Sequence, residues 1–284
     1  MERIALATYP GADLISRDDA LLQDALEDLG FEVENPVWSD ASVQWGSFDV
    51  VVVRTTWDYH LNLESFLEWS ESVAAKTRLF NSPKLMAWNA HKAYLEALDR
   101  TGIPVVPTLV VRSESDLDRI SNFGSGKLVV KPEVGASALD TLVHDTADSA
   151  KRHANALLAN GFALVQPFQN SVLSDGEISL VWISGTVTHA IRKRPKPGDF
   201  RVQIDHGGTN KRIVIPHEGA AIAEACMAAI GPGALFARID LIRDEMGELR
   251  LMELELIEPE LMFEWAPDSA QLLAEAIRDA LHAG

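Results

Sequence analysis

Residues 236–261 read FARIDLIRDEMGELRLMELELIEPEL, and this stretch decides the fold. Two apolar runs rich in aliphatic and β-branched residues flank a polar turn containing Gly247, the pattern of a β-hairpin. Side chains alternate faces along a strand, so Glu253 and Glu255 share one face, while Met252, Leu254 and Leu256 are expected on the other. Asp240 lies on the partner strand, where pairing brings it near the two glutamates. Three carboxylates on one face of an otherwise apolar hairpin repel one another unless a cation sits between them. Hard oxygen ligands with no His or Cys nearby suit Mg²⁺, which commonly arrives with nucleotide phosphates. A solvated edge face would account for alternating glutamates alone. Here, however, Pro259 and further acids follow directly, and the rest of the chain supplies the parts of a nucleotide site.

Composition narrows the choice of partner. The chain has 284 residues, long enough for two domains or one multi-lobed enzyme, and its 47% hydrophobic content can fill a sizeable core. Its 25 basic residues against 42 acidic ones leave a net charge of −17, with no Lys/Arg-rich segment. That argues against nucleic acid or an anionic membrane as a partner. The one cysteine, Cys226, cannot form an intramolecular disulfide and sits in an Ala-rich helical stretch, as a small buried hydrophobe does. MERIALATYP carries acid, base and a turn rather than a signal-peptide core, and no apolar run approaches a membrane span. A soluble cytoplasmic protein with a small-molecule ligand is expected, and assembly into a homo-oligomer is left open.

Outward from the hairpin, two architectures alternate. Residues 1–83 read as a small α/β domain with a parallel, Rossmann-like sheet. Ile4–Thr8 and Asp49–Arg54 are continuous apolar strands of the kind covered on both faces, and Asp18–Leu29 and Leu63–Val73 have helical spacing. From Pro83 a long helix is expected over Lys84–Arg100, stopping at Gly102 and Pro104. Strand-rich stretches follow around Leu128, Ala163, Ile178 and Thr186, then a helix over Ala220–Ala229, the hairpin, and an amphipathic helix over Ser269–His282. Antiparallel strands with helices set apart indicate an α+β architecture of two lobes, 84–168 and 169–284.

Several residues suit nucleotide chemistry. Lys131 ends the apolar strand LVVKP, where an ammonium is buried unless it meets an anion. Lys92 lies in WNAHKAYL. Gly135-Ala136-Ser137 open a small-residue loop whose backbone N–H groups can approach phosphate closely, although no Walker loop exists in the chain. Gln166-Pro167-Phe168 close a strand and can offer backbone groups to a purine edge. Glu177 opens the next strand, where its carboxylate can accept both ribose hydroxyls. Arg201, in GDFRVQ beside His206-Gly207-Gly208, suits a transferring phosphoryl group.

That order of parts resembles the ATP-grasp family over the roughly 200 residues from Pro83 onward. The resemblance implies ATP and Mg²⁺ as cofactors. It implies Lys92 and Lys131 as the nucleotide lysines, Gln166, Pro167 and Phe168 as the adenine linker, and Glu177 as the ribose acid. Arg201 would be the catalytic arginine, and Asp240, Glu253 and Glu255 the metal ligands. The chain departs from the family pattern at Glu255, where relatives often have Asn, and at Ala138, where they usually have Gly. RTTWDY, NSPKLMAWNAHKAYL, GDFRVQ and ELELIEPEL together resemble the branch whose members close a ring on O-ureido-D-serine to form D-cycloserine. For that branch Arg54, Thr55, Thr56 and Asp58, beyond a parallel strand end, are expected to hold the amino-acid-like substrate. Arg54 would take its carboxylate and Asp58 its amino group. The implied activity is ATP-dependent carboxylate activation through an acyl phosphate. The alternatives are an intermolecular amino-acid ligase or a non-catalytic nucleotide-binding protein.

Overall fold

The computed structural model describes residues 1–11, 16–124 and 126–283. The N-terminal strands β1 (Arg3–Thr8), β2 (Glu32–Glu34), β3 (Val50–Thr55) and β4 (Arg78–Phe80) form a parallel sheet in the order β2-β1-β3-β4. Their apolar runs are continuous because both faces are covered. Ile4, Leu6, Val50 and Val52 pack one way, and Ala5, Ala7, Val51 and Val53 the other. On the first face lies the helix Arg17–Asp28, capped by the Ser16 hydroxyl, which accepts the Asp19 N–H. The C-terminal helix Asp268–His282 joins the same cluster, with Leu273 and Ile277 against Leu22 and Leu26.

The strands β5 (Leu109–Val111), β6 (Leu128–Pro132), β7 (Leu142–His144) and β8 (Ala163–Pro167) make an antiparallel sheet ordered β5-β8-β6-β7. The third sheet is also antiparallel. Its strands β9 (Glu177–Ile183), β10 (Thr186–Arg194), β11 (Thr209–Ile213), β12 (Phe236–Arg243) and β13 (Leu249–Glu255) run in the order β11-β10-β9-β12-β13. A parallel sheet followed by two antiparallel sheets is the expected fold class. We propose these three sheets as the domain units.

β13 is an edge, and its free backbone groups need partners. The segment after Pro83 supplies them. Asn89 Nδ2 donates to Leu254 O (2.7 Å), and Asn89 Oδ1 accepts the Leu256 N–H (2.8 Å). The Tyr94 hydroxyl both donates to Leu254 O and accepts its N–H, each at 2.8 Å. The long helix expected over 84–100 is therefore two helices, Pro83–Ala90 and Tyr94–Arg100, with His91 extended between them. This break lets Asn89 and Tyr94 both face the strand edge, and it carries Lys92 over the sheet. Tyr94, Leu95 and Leu98 bury against Ile239, Leu241 and Leu251 of the third sheet. Residues 94–100 therefore share a core with β12 and β13.

A second departure lies in the hairpin itself. Asp240 faces Glu253 and Arg238 faces Glu255, but the register shifts so that Leu241 faces Leu251. The extra residue is Met252, and such a bulge breaks the alternation. Leu254 and Leu256 lie in the core as expected, whereas Met252 turns into the cleft and packs with Val106, Val172, Val202 and Ile242. Among the described residues no helix is long and apolar enough to cross a membrane.

Candidate active site

A cavity of about 440 Å³ opens between the second and third sheets. One end is an apolar slot walled by Val106, Val129, Phe168, Phe200, Ile242 and Met252, a chemistry suited to the faces of a purine. Gln166, Pro167 and Phe168 line it as β8 ends. The Phe168 N–H already donates to Lys127 O (2.9 Å), so a purine edge would meet the Pro167 carbonyl rather than that amide. Gln166 is buried and its side-chain amide donates to Thr108 Oγ1 (2.9 Å).

Toward the middle, strands β9, β10, β12 and β13 aim charged side chains at one another. Gly176 precedes β9 at φ 78°, and a Cβ there would lie 2.1 Å from Lys193 O. Only glycine lets Glu177 start so close beside β10. Glu177 pairs with Lys193, its cross-strand partner. Lys193 Nζ also lies 3.4 Å from Asp240 Oδ1. Burial pushes the Glu177 carboxyl up, against the pull of Lys193. Arg238, two residues before Asp240 on the same face of β12, donates to Asp240 Oδ2 (3.0 Å) and pairs with Glu255. Burial would raise the Asp240 carboxyl, but Arg238 and Lys193 outweigh it and hold it well below the usual range. Lys92 Nζ reaches Glu253 Oε1 (2.9 Å) and Gly135 O (2.6 Å). Burial opposes ionisation of Glu253, and Lys92 and Lys131 together outweigh it. Lys131 is buried with no carboxylate within 4 Å among the described residues, and burial lowers its ammonium.

Asp240, Glu253 and Glu255 thus share a face, but not as a bare acidic triad. Protein cations separate them, and among the described residues no three acidic, His or Cys side chains are arranged to hold a metal unaided. The donor chemistry still fits a divalent ion that brings its own oxygens. Burial first, then Asp240 and Glu253, push the Glu255 carboxyl up to about 7 despite Arg238. Such a group gains from an added positive charge. Mg²⁺ typically takes one or two carboxylates and completes its shell with phosphate and water.

Gly135, Ala136 and Ser137 cover this region from the β6 side. Ser137, Ala138 and Asp140 all adopt φ between 50° and 56°, a left-handed conformation costing non-glycine residues roughly 1–2 kcal/mol. Ala138, where the family usually has glycine, therefore sits where glycine is unstrained. Arg201 lines the mouth of the cavity rather than the carboxylate face, and its side chain is 37% exposed. Its guanidinium grips Asp199 through Nε (3.1 Å) and Nη2 (2.9 Å). Arg238 is the guanidinium that stands among the carboxylates. Its signal was present in sequence, since a residue two before Asp240 must share its face.

The expected substrate clamp lies elsewhere. Arg54 is 1% exposed, donates from Nε to Asp19 Oδ1 (2.8 Å) and from Nη1 to Pro259 O (3.2 Å), and lies over the Phe236 ring. Arg54 does not line the cavity, and its guanidinium faces the protein's own groups. Thr55 donates to Thr8 Oγ1 (2.8 Å), and Thr56 is fully buried. Asp58 accepts from Trp38 Nε1 (2.7 Å). Trp57 and Tyr59 are the residues of this segment that line the cavity, with Asn89, Glu258, Glu260 and Met262. The loop carrying these acids is anchored by Asp18, which accepts the N–H groups of Leu261 (2.5 Å), Met262 (2.9 Å) and Phe263 (2.6 Å).

An apolar slot, buried lysines over a small-residue loop and a carboxylate hairpin are the parts of an ATP-dependent ligase. The chain belongs to the ATP-grasp family, with residues 88–260 matching the RimK-like ATP-grasp domain. Residues 4–81 match the N-terminal domain of D-cycloserine synthetase DcsG. The chain is 31% identical over 294 residues to the cycloserine biosynthesis protein DcsG of Streptomyces lavendulae, covering 98% of each. It superposes on the crystal structure of D-cycloserine synthetase DcsG with a TM-score of 0.90 at 31% identity, covering 98% of this chain and 99% of that one. The ATP-grasp ligase PsnB, crystallised with a precursor variant, Mg and ADP, gives a TM-score of 0.67 at 17% identity, covering 98% of each chain.

Proposed function

We propose that this ligase activates the carboxylate of O-ureido-D-serine with ATP and closes the ring of D-cycloserine. The observation that carries this reading is the match of residues 4–81 to the N-terminal domain of D-cycloserine synthetase, beyond the ATP-grasp domain common to many ligases. A carboxylate oxygen attacks the γ-phosphorus and ADP leaves. The oxygen-bound ureido nitrogen then attacks the acyl phosphate, loses its proton and expels phosphate. Water must remove the remaining carbamoyl group, as carbon dioxide and ammonia, to leave D-cycloserine. Because nucleophile and acyl group belong to one molecule, proximity replaces a second binding event.

In this reading Lys92, Lys131 and Lys193 hold phosphate oxygens, aided by the Gly135–Ser137 backbone. Arg238 faces the charge that spreads over the transferring phosphoryl group, and Arg201 guards the mouth. The linker Gln166–Phe168 takes adenine, with Glu177 on the ribose side. Asp240, Glu253 and Glu255 would hold Mg²⁺, which when bound neutralises phosphate charge. PsnB offers a precedent for Mg and ADP in this fold. A cytoplasmic setting, where ATP and Mg²⁺ are supplied, fits this chemistry.

The RimK-like match favours one rival, an intermolecular amino-acid ligase. Phosphate release from ATP, measured with O-ureido-D-serine and a panel of amino acids and followed by mass spectrometry, separates the two. A cyclised product from a single amino acid supports the proposal. A dipeptide overturns it.

A further inference from the structure

Four buried or half-buried carboxylates of the cleft each hold a protein cation within 4 Å: Glu177 with Lys193, Asp240 with Lys193 and Arg238, Glu253 with Lys92, and Glu255 with Arg238. Glu258 lines the same cavity and, among the described residues, has no such partner. Around it stand the titratable groups Glu255, Lys92, Arg238 and Tyr59, of which Glu255 repels it and the two cations lie beyond ion-pair reach. The aromatic walls Trp57 and Tyr59 bound this end, and Trp57 is 38% exposed to the opening. An enclosed carboxylate without a cation is costly unless a ligand supplies one, and aromatic faces also favour cations. Among the described residues Glu260 has no ion-pair partner either, but it lies toward Asp18.

We propose that Glu258 is the specificity residue that receives the α-ammonium of the amino-acid substrate, with Trp57 and Tyr59 walling the subsite. The inference rests on the ligase reading above: the substrate carboxylate must meet the γ-phosphate, and Arg238 and the Mg²⁺-holding carboxylates Asp240, Glu253 and Glu255 place that meeting at their shared face. In an α-amino acid the ammonium is one carbon away from that carboxylate, so its acceptor must stand just beyond the carboxylate face, where Glu258 is. The role assigned in sequence to Asp58 passes to Glu258. Burial, then Glu255, push the Glu258 carboxyl up to about 8, so an ammonium arriving at pH 7 ionises it and releases a proton.

Calorimetric titration tests this on the full chain saturated with Mg²⁺ and a non-hydrolysable ATP analogue. The ligands are O-ureido-D-serine and the same acid lacking its amino group. The wild type should prefer the amino compound by roughly ten- to hundred-fold, as charge-assisted hydrogen bonds allow. Its binding heat should vary with buffer, reporting the proton released. In Glu258→Gln the preference and the proton release should both vanish, while affinity for the deamino acid and for nucleotide stays the same. Glu258→Asp should recover part of the preference. A preference retained in Glu258→Gln overturns the proposal. So does a variant that loses Mg²⁺–nucleotide affinity while discriminating normally, because Glu258 would then serve the metal. If the wild type binds neither compound, the O-ureido-D-serine reading falls. The Glu258 inference is then decided with whichever amino acid stimulates ADP formation, paired with its own deamino acid.

Discussion

Arg54 Nε lies 2.8 Å from Asp19 Oδ1, and both side chains are buried. The same guanidinium donates to Pro259 O, and the neighbouring Asp18 holds the amides of Leu261, Met262 and Phe263. This network fastens the N-terminal domain to the loop that carries Glu258 and Glu260 into the cleft. Removing one partner of a buried ion pair costs about 3–5 kcal/mol, because a charge is left stranded. Arg54→Ala is therefore expected to lower Tm by at least about 6 °C, at the few degrees per kcal/mol typical of larger domains. It should also weaken amino-acid binding through the loosened loop. Thermal denaturation checks the first effect. An unchanged Tm with lost substrate affinity would restore Arg54 as a direct ligand.

The two arginines make a sharper contrast. Arg238 stands between Asp240 and Glu255, whereas Arg201 pairs with Asp199 at the mouth. Arg238→Ala is expected to depress kcat by on the order of hundred-fold or more, about 3 kcal/mol of transition-state stabilisation. It should also cost stability, since Glu255 loses its cation and Asp240 keeps only Lys193. Arg201→Ala should leave Tm unchanged and lower kcat less. Steady-state kinetics of both variants decide the order. A larger loss of kcat in Arg201→Ala would return the catalytic role to the mouth of the cavity.

How much of this was legible in sequence depends on range. Asp240 opposite Glu253 followed from strand alternation, because the turn at Gly247 is short. Met252 did not, since a one-residue bulge leaves no compositional trace. The break at His91 was hidden in a run with helical spacing, and it exists to serve the β13 edge that Asn89 and Tyr94 cap. Arg54 was legible as a charged residue at a parallel strand end. Its partners Asp18 and Asp19 lie 36 and 35 residues earlier on a helix that looked merely amphipathic. Lys193 escaped notice because it faces Glu177 only through a register shift between Val187 and His189. Local periodicity was readable, whereas ion pairing across elements needed the fold.

Lys131 offers a test in which stability and function move apart. It is buried with no carboxylate within 4 Å among the described residues, and burial lowers its ammonium, so the protein without nucleotide carries its cost. ATP phosphates would supply the missing anion. Lys131→Met, close in length and uncharged, should hold or raise Tm without ligand, while KM for ATP rises on the order of ten-fold or more. Nucleotide should stabilise the variant less than the wild type, because ligand-induced stabilisation follows affinity. If the variant loses stability with its ATP affinity intact, Lys131 is a packing residue.

The pH dependence follows from Glu255 and Glu258, whose carboxyls are pushed up to about 7 and about 8 from the ordinary 4.5, chiefly by burial. The folded protein therefore binds more protons than the unfolded chain over the interval between those values. Stability from these groups is fully present below about 4.5 and is lost as pH rises through 7 to 8. Without ligand, Tm should fall by several degrees across that interval. A metal ion must displace the proton from Glu255, so Mg²⁺ affinity in the presence of ADP should rise with pH up to about 7 and then level off. Saturating Mg²⁺–ADP should accordingly flatten the fall in Tm, since the added cation offsets the burial of the ionised carboxylate. Thermal melts from pH 5 to 9, with and without Mg²⁺–ADP, measure both effects, with Glu255→Gln as the control. In that variant the slope below pH 7 should shrink by about half, because Glu258 still contributes there. A ligand-free Tm that instead rises from pH 5 to 8 would mean that these carboxyls are already ionised in the folded state, and the Mg²⁺ assignment would lose its electrostatic support.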